Sequence, residues 1–406
     1  MAKLLSLIIT ACIITATFSI KANDETTTSQ MRNETISALQ KALKEHYIYL
    51  DKAKQVEKRL SELDHKNMSK AYSDDKEYAQ AVTEIIQTII NDKHFRFVVP
   101  RSRNTSDSPR EDLITRHLNA LSRFRHGGFK DIRMLEGNVG YVKIDGFRGE
   151  EIPQVDGLMS YLRTADAIII DLQKNGGGGQ PVNYLSSYFL PKDTLIGKTY
   201  HRHKDKWVEH IVEPIKGDKR LDVPLYILTS ERTFSAAEAF SYNLQALKRA
   251  TIVGARTAGG AHPTRFMPLP NGFAVLMPDR RSYSPITQSN WEATGVQPDI
   301  ETKPADALNK AHQLAKKAAK QYREKHFNTL RKLLASTEYS TQLQQQVTDT
   351  IKVILHRKHM QPFMVAGFAE RYQEDGLNTA ARLLTVANTQ IFSENNKTTN
   401  LTTATP

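Results

Sequence analysis

The chain has 406 residues, a formal net charge of +12, and 39% hydrophobic and 25% charged residues. These values are typical of a globular protein with room for several domains, and they exclude a chain that is disordered throughout. The basic residues are interspersed with acidic ones, and no nucleic-acid-binding motif is found, so we predict no nucleic-acid partner.

Residues 1–22 have the pattern of a secretory signal peptide. Lys3 supplies the positive charge, residues 4–18 form an apolar run, and a cleavage site precedes Asn23. The run is shorter than the roughly 20 residues that span a bilayer, so we expect export to the periplasm or outside the cell. Cys12, the only cysteine, lies in this segment and could instead be the lipidated residue of a lipoprotein. Membrane attachment is expected only in that case, and the mature chain would have no thiol.

The chain then divides into four predicted regions. A helical domain over residues 23–128 is indicated by apolar residues at helical spacing, followed by an alternating strand that includes Phe95 and Phe97, with a further helix at 112–124. A core follows over 129–303, a helical module over 304–390 with breaks near Gly367 and Gly376, and a disordered tail, by composition, over 391–406.

Within the core, strands alternate with helices, which predicts a mainly parallel sheet covered by helices. The predicted strands are 139–145, 167–171, 223–228 and 251–254, and the predicted helices are 152–162, 181–189 and 236–248. Residues 191–219 are predicted to be an insertion or hairpin over the sheet, and residues 273–277 a later strand. The fold class is therefore α/β, with helical regions at both ends.

Ser235 stands where a predicted strand gives way to a predicted helix. A hydroxyl at such a junction lies beside free helix N–H groups, which can stabilise an oxyanion, so Ser235 is a candidate nucleophile. Ser235 and Glu238 also form a capping-box pattern, in which both side chains would only satisfy backbone donors. This segment alone leaves both interpretations open.

A run of four glycines, residues 176–179, follows the most apolar strand. It lacks the lysine of a phosphate-binding P-loop, so an oxyanion hole is the better functional interpretation, with a flexible turn as the alternative. His94 is the candidate base, and His262 is a rival because it adjoins a second glycine turn. The spacing of His201, His203, Glu209 and His210 fits no zinc pattern, so we predict a solvated loop there and no metal site.

Four motifs occur in a fixed order along the chain. They are Asp171-Leu-x-x-Asn-Gly-Gly-Gly, Leu228-Thr-Ser-x-x-Thr-x-Ser-Ala-Ala-Glu, Gly254-x-x-Thr-x-Gly-Gly and Trp291-Glu-x-x-Gly-Val-x-Pro-Asp-Ile. Together they resemble the tail-specific, or C-terminal processing, serine peptidase family over about residues 31–303. The branch that also contains the tricorn protease and the interphotoreceptor retinoid-binding protein repeats is the most similar. The resemblance implies a ClpP/crotonase-like core.

The resemblance also implies roles for individual residues. Ser235 would be the nucleophile, and Gly177 or Gly178 with the N–H of Ala236 would form the oxyanion hole. The lysine base of the bacterial branch is absent, because Gly260 stands in its place. A histidine base with a supporting acid, as in the tricorn-like branch, matches His94 and Glu292.

The chain departs from the family pattern at two places. Lys93 replaces the serine that precedes the histidine in the tricorn protease. The segment between His94 and the strand near Asn138 is also too short for the PDZ domain that the processing peptidases carry there.

The resemblance therefore predicts an exported serine endopeptidase that acts on peptides or unfolded protein tails and needs no cofactor. A non-catalytic module that binds apolar ligands or peptides on the same fold is the alternative.

Overall fold

The structure is a computed structural model that describes residues 28–100, 128–147, 152–179 and 181–402, and side chains only as far as residue 392. The predicted signal peptide, Cys12 and the predicted helix at 112–124 lie outside the described residues. Within them, no helix combines the length and the apolar character needed to cross a membrane.

The described chain begins with helices that pack on one another. They are α1 (residues 28–46), α2 (Leu50–Ser61), α3 (His65–Ala71) and α4 (Asp75–Ile90). Helix α4 ends at Asn91, whose left-handed backbone (φ 46°) turns the chain into the short strand β1 (Arg96–Val98). Asp92 and His94 lie in that turn, so the end of α4 fixes where they point.

A six-stranded sheet forms the centre of the molecule. Its strands are β2 (Phe129–Leu135), β3 (Val139–Ile144), β4 (Ala167–Asp171), β7 (Leu225–Thr229), β8 (Thr251–Gly254) and β12 (Ile300–Glu301), in the spatial order β12-β8-β7-β4-β3-β2. All neighbours are parallel except β2 and β3. Every residue of β4 is buried, as expected of a parallel strand covered on both faces.

Helices cover both faces of this sheet. One face packs against α5 (Ile152–Tyr161), α6 (Pro181–Ser187) and α7 (Ala236–Ala246). The other face packs against α8 (Pro304–Leu334), whose Ala307, Ala311, Ala315 and Ala319 are fully buried. These alanines recur at every fourth position, so they form one stripe on which the helix backbone approaches the sheet closely. The predicted α/β class with helical ends is confirmed.

Two three-stranded antiparallel sheets flank the central sheet. Their further strands are β5 (Leu195–His201), β6 (Lys206–Ile211), β9 (Thr264–Pro268), β10 (Ala274–Pro278) and β11 (Arg280–Tyr283), in the orders β1-β10-β9 and β11-β5-β6. Strand β10 also completes the core of the N-terminal helices, where Phe273 stacks on Phe97 with ring centroids 5.0 Å apart. The N-terminal helices therefore share their core with the predicted catalytic region across the predicted boundary at residue 128.

Three more helices follow α8 and close a separate apolar core: α9 (Thr341–His356), α10 (Pro362–Glu374) and α11 (Asn378–Thr402). The predicted break at Gly367 is wrong, because this residue lies inside α10, whereas Gly376 (φ 75°) does lie between helices. The predicted disordered tail from 391 is corrected as well. Ile391 packs into the apolar core, and α11 continues through Thr402.

Candidate active site

Ser235 lies between β7 and α7 in a backbone conformation that side chains rarely adopt, with φ 56° and ψ −119°. Such a conformation costs on the order of 1–3 kcal/mol and persists only where surrounding contacts impose it. The Thr233 hydroxyl donates to the Leu172 carbonyl (2.9 Å), and the Phe234 N–H donates to the Asn175 carbonyl (3.0 Å). The turn is therefore bonded to the loop after β4. The sequence predicts the strand-to-helix junction but not this strain, which is typical of an exposed nucleophile.

Glu238 holds the turn from the other side. The Glu238 carboxylate accepts the backbone N–H of Ser235 at 2.8 Å, which is one half of the predicted capping box. Both halves of the predicted capping box are in place, with the Ser235 hydroxyl facing the backbone N–H of Glu238, although that approach falls short of a hydrogen bond. The same carboxylate also accepts the Thr257 hydroxyl (2.6 Å) and the N–H groups of Gly259 (2.6 Å) and Gly260 (2.9 Å). One buried carboxylate thus joins the serine turn to the glycine turn after β8.

The glycine run touches the serine directly. A Cβ atom on Gly177 would lie 2.7 Å from Ser235 Cβ, so only glycine allows this approach. The Gly177 N–H donates to Asn175 Oδ1 at 2.8 Å and is already used. The Phe147 N–H donates to the Gly177 carbonyl, and the Gly179 N–H donates to the Phe147 carbonyl. The N–H of Gly178 takes part in neither bond. Of the two predicted glycines, Gly178 has the freer N–H group.

His94 lies over the serine turn, with its ring centroid 4.4 Å from that of Phe234. Its backbone N–H donates to Asp92 Oδ1 at 3.0 Å. Burial lowers the pKa of His94 to about 4, so the ring is neutral near pH 7 and able to accept a proton. His94 Nδ1 is buried without a hydrogen-bond partner, and no hydrogen bond joins the ring to the Ser235 hydroxyl among the described residues.

A side chain at position 260 would compete with His94 for the same space. A Cβ atom at position 260 would lie 2.7 Å from His94 Cε1 and 2.2 Å from Phe234 Cε2. The two rings occupy the space into which a side chain at position 260 would extend. A lysine there and His94 in its present position exclude each other.

Glu292 comes from the turn that follows Trp291. The Trp291 indole N–H donates to the Gly260 carbonyl at 2.8 Å, and Glu292 Oε2 accepts the Ala261 N–H at 2.5 Å. Burial raises the pKa of Glu292 to about 7. Its other oxygen, Oε1, is buried and has no partner, like His94 Nδ1. The turn therefore places the Glu292 carboxyl near the His94 ring, with a ligand atom of each within 4.8 Å of the other.

His262, the rival base, has both ring nitrogens engaged elsewhere. Its Nδ1 lies 2.7 Å from Asp92 Oδ2 and 3.4 Å from Glu292 Oε2, and its Nε2 lies 3.4 Å from the Tyr49 hydroxyl. The side chain is 2% exposed. His262 is therefore packed behind Glu292 and does not line the cavity in which Ser235 lies.

Asp92, His94 and Glu292 hold potential metal-ligand atoms within 4.8 Å of one another, the one such group among the described residues. Three of their four carboxylate oxygens already accept hydrogen bonds, from the His94 N–H, from His262 and from the Ala261 N–H. Hydrogen bonding within the protein accounts for this cluster. The sequence did not single out Asp92, since its only signal is its position two residues before His94.

One cavity of about 500 Å³ is lined by Ser235, Ala236, Gly178 and His94. The hairpin of β5 and β6 forms another wall, which corrects the predicted solvated loop. His201 and His210 line the cavity, and His210 Nε2 lies 2.8 Å from the Thr199 hydroxyl. The proposed nucleophile, base and oxyanion donors thus share a space large enough for part of a peptide.

Part of the chain is similar to known peptidases. Residues 138–302 match Peptidase family S41. A carboxyl-terminal-processing protease of Synechocystis sp. (strain ATCC 27184 / PCC 6803 / Kazusa) is 26% identical over 197 residues, which are 48% of this chain and 44% of the relative. The chain thus spans less than half of that relative's length.

Two solved structures are also similar. The photosystem II D1 C-terminal processing protease has a TM-score of 0.44 and 13% identity, covering 68% of this chain and 93% of that one. The tricorn protease has a TM-score of 0.45 and 15% identity, and the match covers 74% of this chain and 37% of the tricorn protease.

The matched region contains five of the six strands of the central sheet and the serine turn. Over residues 138–302 the chain is therefore similar to Peptidase family S41, and it resembles carboxyl-terminal-processing proteases over about half of its length.

Proposed function

We propose that the protein is a serine endopeptidase that hydrolyses peptides or unfolded protein tails. The observation that supports this most directly is the strained Ser235 turn, pressed against a glycine loop and facing a cavity that it shares with a neutral histidine. A serine that only capped a helix would not need this strain. The predicted apolar leader supports an exported enzyme, with lipid attachment only if Cys12 is acylated.

In the proposed mechanism, His94 accepts the Ser235 proton as the hydroxyl oxygen attacks a peptide carbonyl. The N–H groups of Gly178 and Ala236 stabilise the oxyanion, and the positive end of α7 adds to this effect. Glu292 Oε1 accepts a hydrogen bond from His94 Nδ1 and stabilises the imidazolium that forms. The proton then passes to the leaving amine, and water hydrolyses the acyl-enzyme.

This mechanism requires the His94 ring to contact the Ser235 hydroxyl when substrate is bound. Catalytic hydrogen bonds are often long in the free enzyme and shorten only in the complex. The missing bond is also the observation that favours the alternative, a binding module that retains the cavity without the chemistry. Reactivity of Ser235 separates the two.

The test is labelling with a fluorophosphonate probe, followed by mass spectrometry of the modified peptide. We expect covalent labelling of Ser235 in the wild type and none in Ser235→Ala. We expect His94→Ala to label about 10²–10⁴-fold more slowly, the usual contribution of a general base. Folded wild-type protein that takes up no probe and cleaves no fluorogenic peptide would reject the peptidase in favour of the binding module.

A further inference from the structure

Behind the proposed catalytic residues lies a second group of ionisable side chains that the mechanism above does not use. His262 is 2% exposed and Asp92 is fully buried, and the two are joined at 2.7 Å. Because His262 Nδ1 faces a carboxylate oxygen, it carries a proton. The same nitrogen lies 3.4 Å from Glu292 Oε2. One N–H group therefore faces two carboxylates.

We propose that His262, anchored by Asp92, is a positioning residue that shares its Nδ1 proton with Glu292 and so keeps the Glu292 carboxylate available to His94. This inference rests on the proposed peptidase function. Asp92 holds both histidines, since its Oδ1 accepts the His94 backbone N–H while its Oδ2 faces the His262 ring. Asp92, just after α4, thus holds both His94 and His262, the residue that lies behind Glu292.

The surroundings of Glu292 show why it needs such support. Burial acts most strongly on this carboxyl and raises its pKa, His262 opposes that effect, and Asp92 and Glu238 add to it by repulsion. Tyr47, whose hydroxyl lies 3.4 Å from Asp92 Oδ2, also faces the cluster. Two contacts lower the pKa of Glu292, the charge of His262 and, to a smaller extent, the hydrogen bond from the Ala261 N–H, so His262 is the side chain that favours the carboxylate form. Without His262, the Glu292 carboxyl would stay protonated to a higher pH. It would then not be a carboxylate that accepts the hydrogen bond from His94 Nδ1.

The chain offers a matched control for this hypothesis. His359 and Asp166 form a second buried pair, joined at 2.6 Å, with side chains 6% and 1% exposed. This pair attaches the C-terminal helices to the core. A substitution in either pair removes a comparable buried contact, but only one of them lies behind Glu292.

The experiment compares His262→Asn with His359→Asn. Asparagine keeps an N–H donor near the position of Nδ1 but cannot become charged. In His262→Asn we expect the acidic limb of kcat/KM for a fluorogenic peptide to move up by about one pH unit, a tenfold loss below that limb, with recovery at higher pH. In His359→Asn we expect a lower Tm and an unmoved limb. If the acidic limb of kcat/KM does not move in His262→Asn, while its Tm is similar to that of His359→Asn, then His262 has only a structural role.

A second readout does not depend on turnover. The carboxyl ¹³C NMR signal of Glu292, assigned by its loss in Glu292→Gln, should titrate at higher pH in His262→Asn than in the wild type. In the wild type, the His262 Nδ1–H signal should shift as the Glu292 carboxyl titrates, as expected if the two groups share that proton. A His262 Nδ1–H signal that does not respond to Glu292 would overturn the inference even if the variant does not fold. A wild type that neither cleaves peptide nor labels would reject the proposed function alone, because the titrations remain measurable.

Discussion

At the scale of single residues, His94 and Glu292 carry ionisable groups whose pKa values burial moves in opposite directions. The pKa of His94 falls to about 4 and that of Glu292 rises to about 7. Near neutral pH the histidine is therefore ready to accept a proton, while the acid is only partly ionised. The state of Glu292, and not that of His94, should set the lower pH limit of activity.

A pH-dependent difference in stability between the wild type and Glu292→Gln follows from these values. A carboxyl whose pKa is raised in the folded state stabilises that state below its ordinary pKa of 4.5, and the contribution disappears as the pH rises through about 7. His94 acts in the opposite sense, since its stabilising contribution is lost as the pH falls through about 4. We expect the wild type to lose on the order of 2–3 kcal/mol relative to Glu292→Gln between about pH 4.5 and 7. Urea unfolding at several pH values measures this, and a constant difference would contradict it.

Gly260→Ala tests whether the space beside His94 is as restricted as the geometry indicates. The new Cβ would meet the rings of Phe234 and His94 at 2.2 to 2.7 Å. We expect a loss of about 1–3 kcal/mol in stability from overpacking, together with much slower fluorophosphonate labelling. Gly157→Ala in α5 is the control, because nothing lies within 4 Å of its Cβ position. This control should keep wild-type labelling and be equally or slightly more stable.

At the scale of elements, the site depends on two turns that a single side chain joins. Glu238, in the first turn of α7, receives hydrogen bonds from the serine turn and from the glycine turn after β8. Burial raises the pKa of Glu238 above its ordinary value, although these hydrogen bonds favour the charged form. The first turn of α7 and the end of β8 therefore form one unit.

Glu238→Gln should separate that unit. A glutamine amide has one acceptor oxygen in place of two, so buried N–H groups would lose their partners at about 1–3 kcal/mol each. We expect a clear loss of Tm and of Ser235 labelling. Glu213→Gln, on a half-buried glutamate whose side chain is away from the cavity, serves as the control for removing a charge. Equal behaviour of the two variants would show that Glu238 does not organise the turns.

Most of these elements could be predicted from the sequence, because apolar strands and amphipathic helices have distinct periods. The strand at Ala167–Asp171 has both predicted limits, and the helix after Ser235 begins at the predicted residue, Ala236. The φ of Ser235, the role of Asp92 and the placement of His262 could not be predicted. Each depends on contacts between segments far apart in the sequence, and no local pattern records them.

At the scale of the whole molecule, the C-terminal helices are attached to the core by buried charge as well as by apolar contacts. Asp166, which precedes β4, receives hydrogen bonds from Arg323 and His359 of the C-terminal region and from Asn138. Burial alone would raise the pKa of Asp166, but the hydrogen bonds from His359 and Asn138 hold it below its ordinary value. This carboxylate is the centre of the joint between the two regions.

Asp166→Asn should weaken that joint. Removing one partner of a buried ion pair typically costs about 3–5 kcal/mol, and the loss here should lie at the lower end because Arg323 is 40% exposed. We expect earlier unfolding of residues 304–402, seen as faster hydrogen exchange in α9 to α11 than in β4. Asp131→Asn, on the exposed face of β2, is the control and should change little. Uniform destabilisation of the core and helices would argue against a local joint.

The pairing of β1 with β10 has a consequence for the order in which function arises. Phe97 lies opposite Val275, so the segment that carries Asp92 and His94 is fixed by a strand synthesised much later. Contacts between such distant segments form slowly, because a long loop must close first. Strands β2, β3, β4, β7 and β8 of the central sheet all precede β10, so a growing chain can begin this sheet while His94 is still unplaced. We therefore expect the proposed hydrolytic activity to arise late in synthesis, once both β10 and Glu292 have been added.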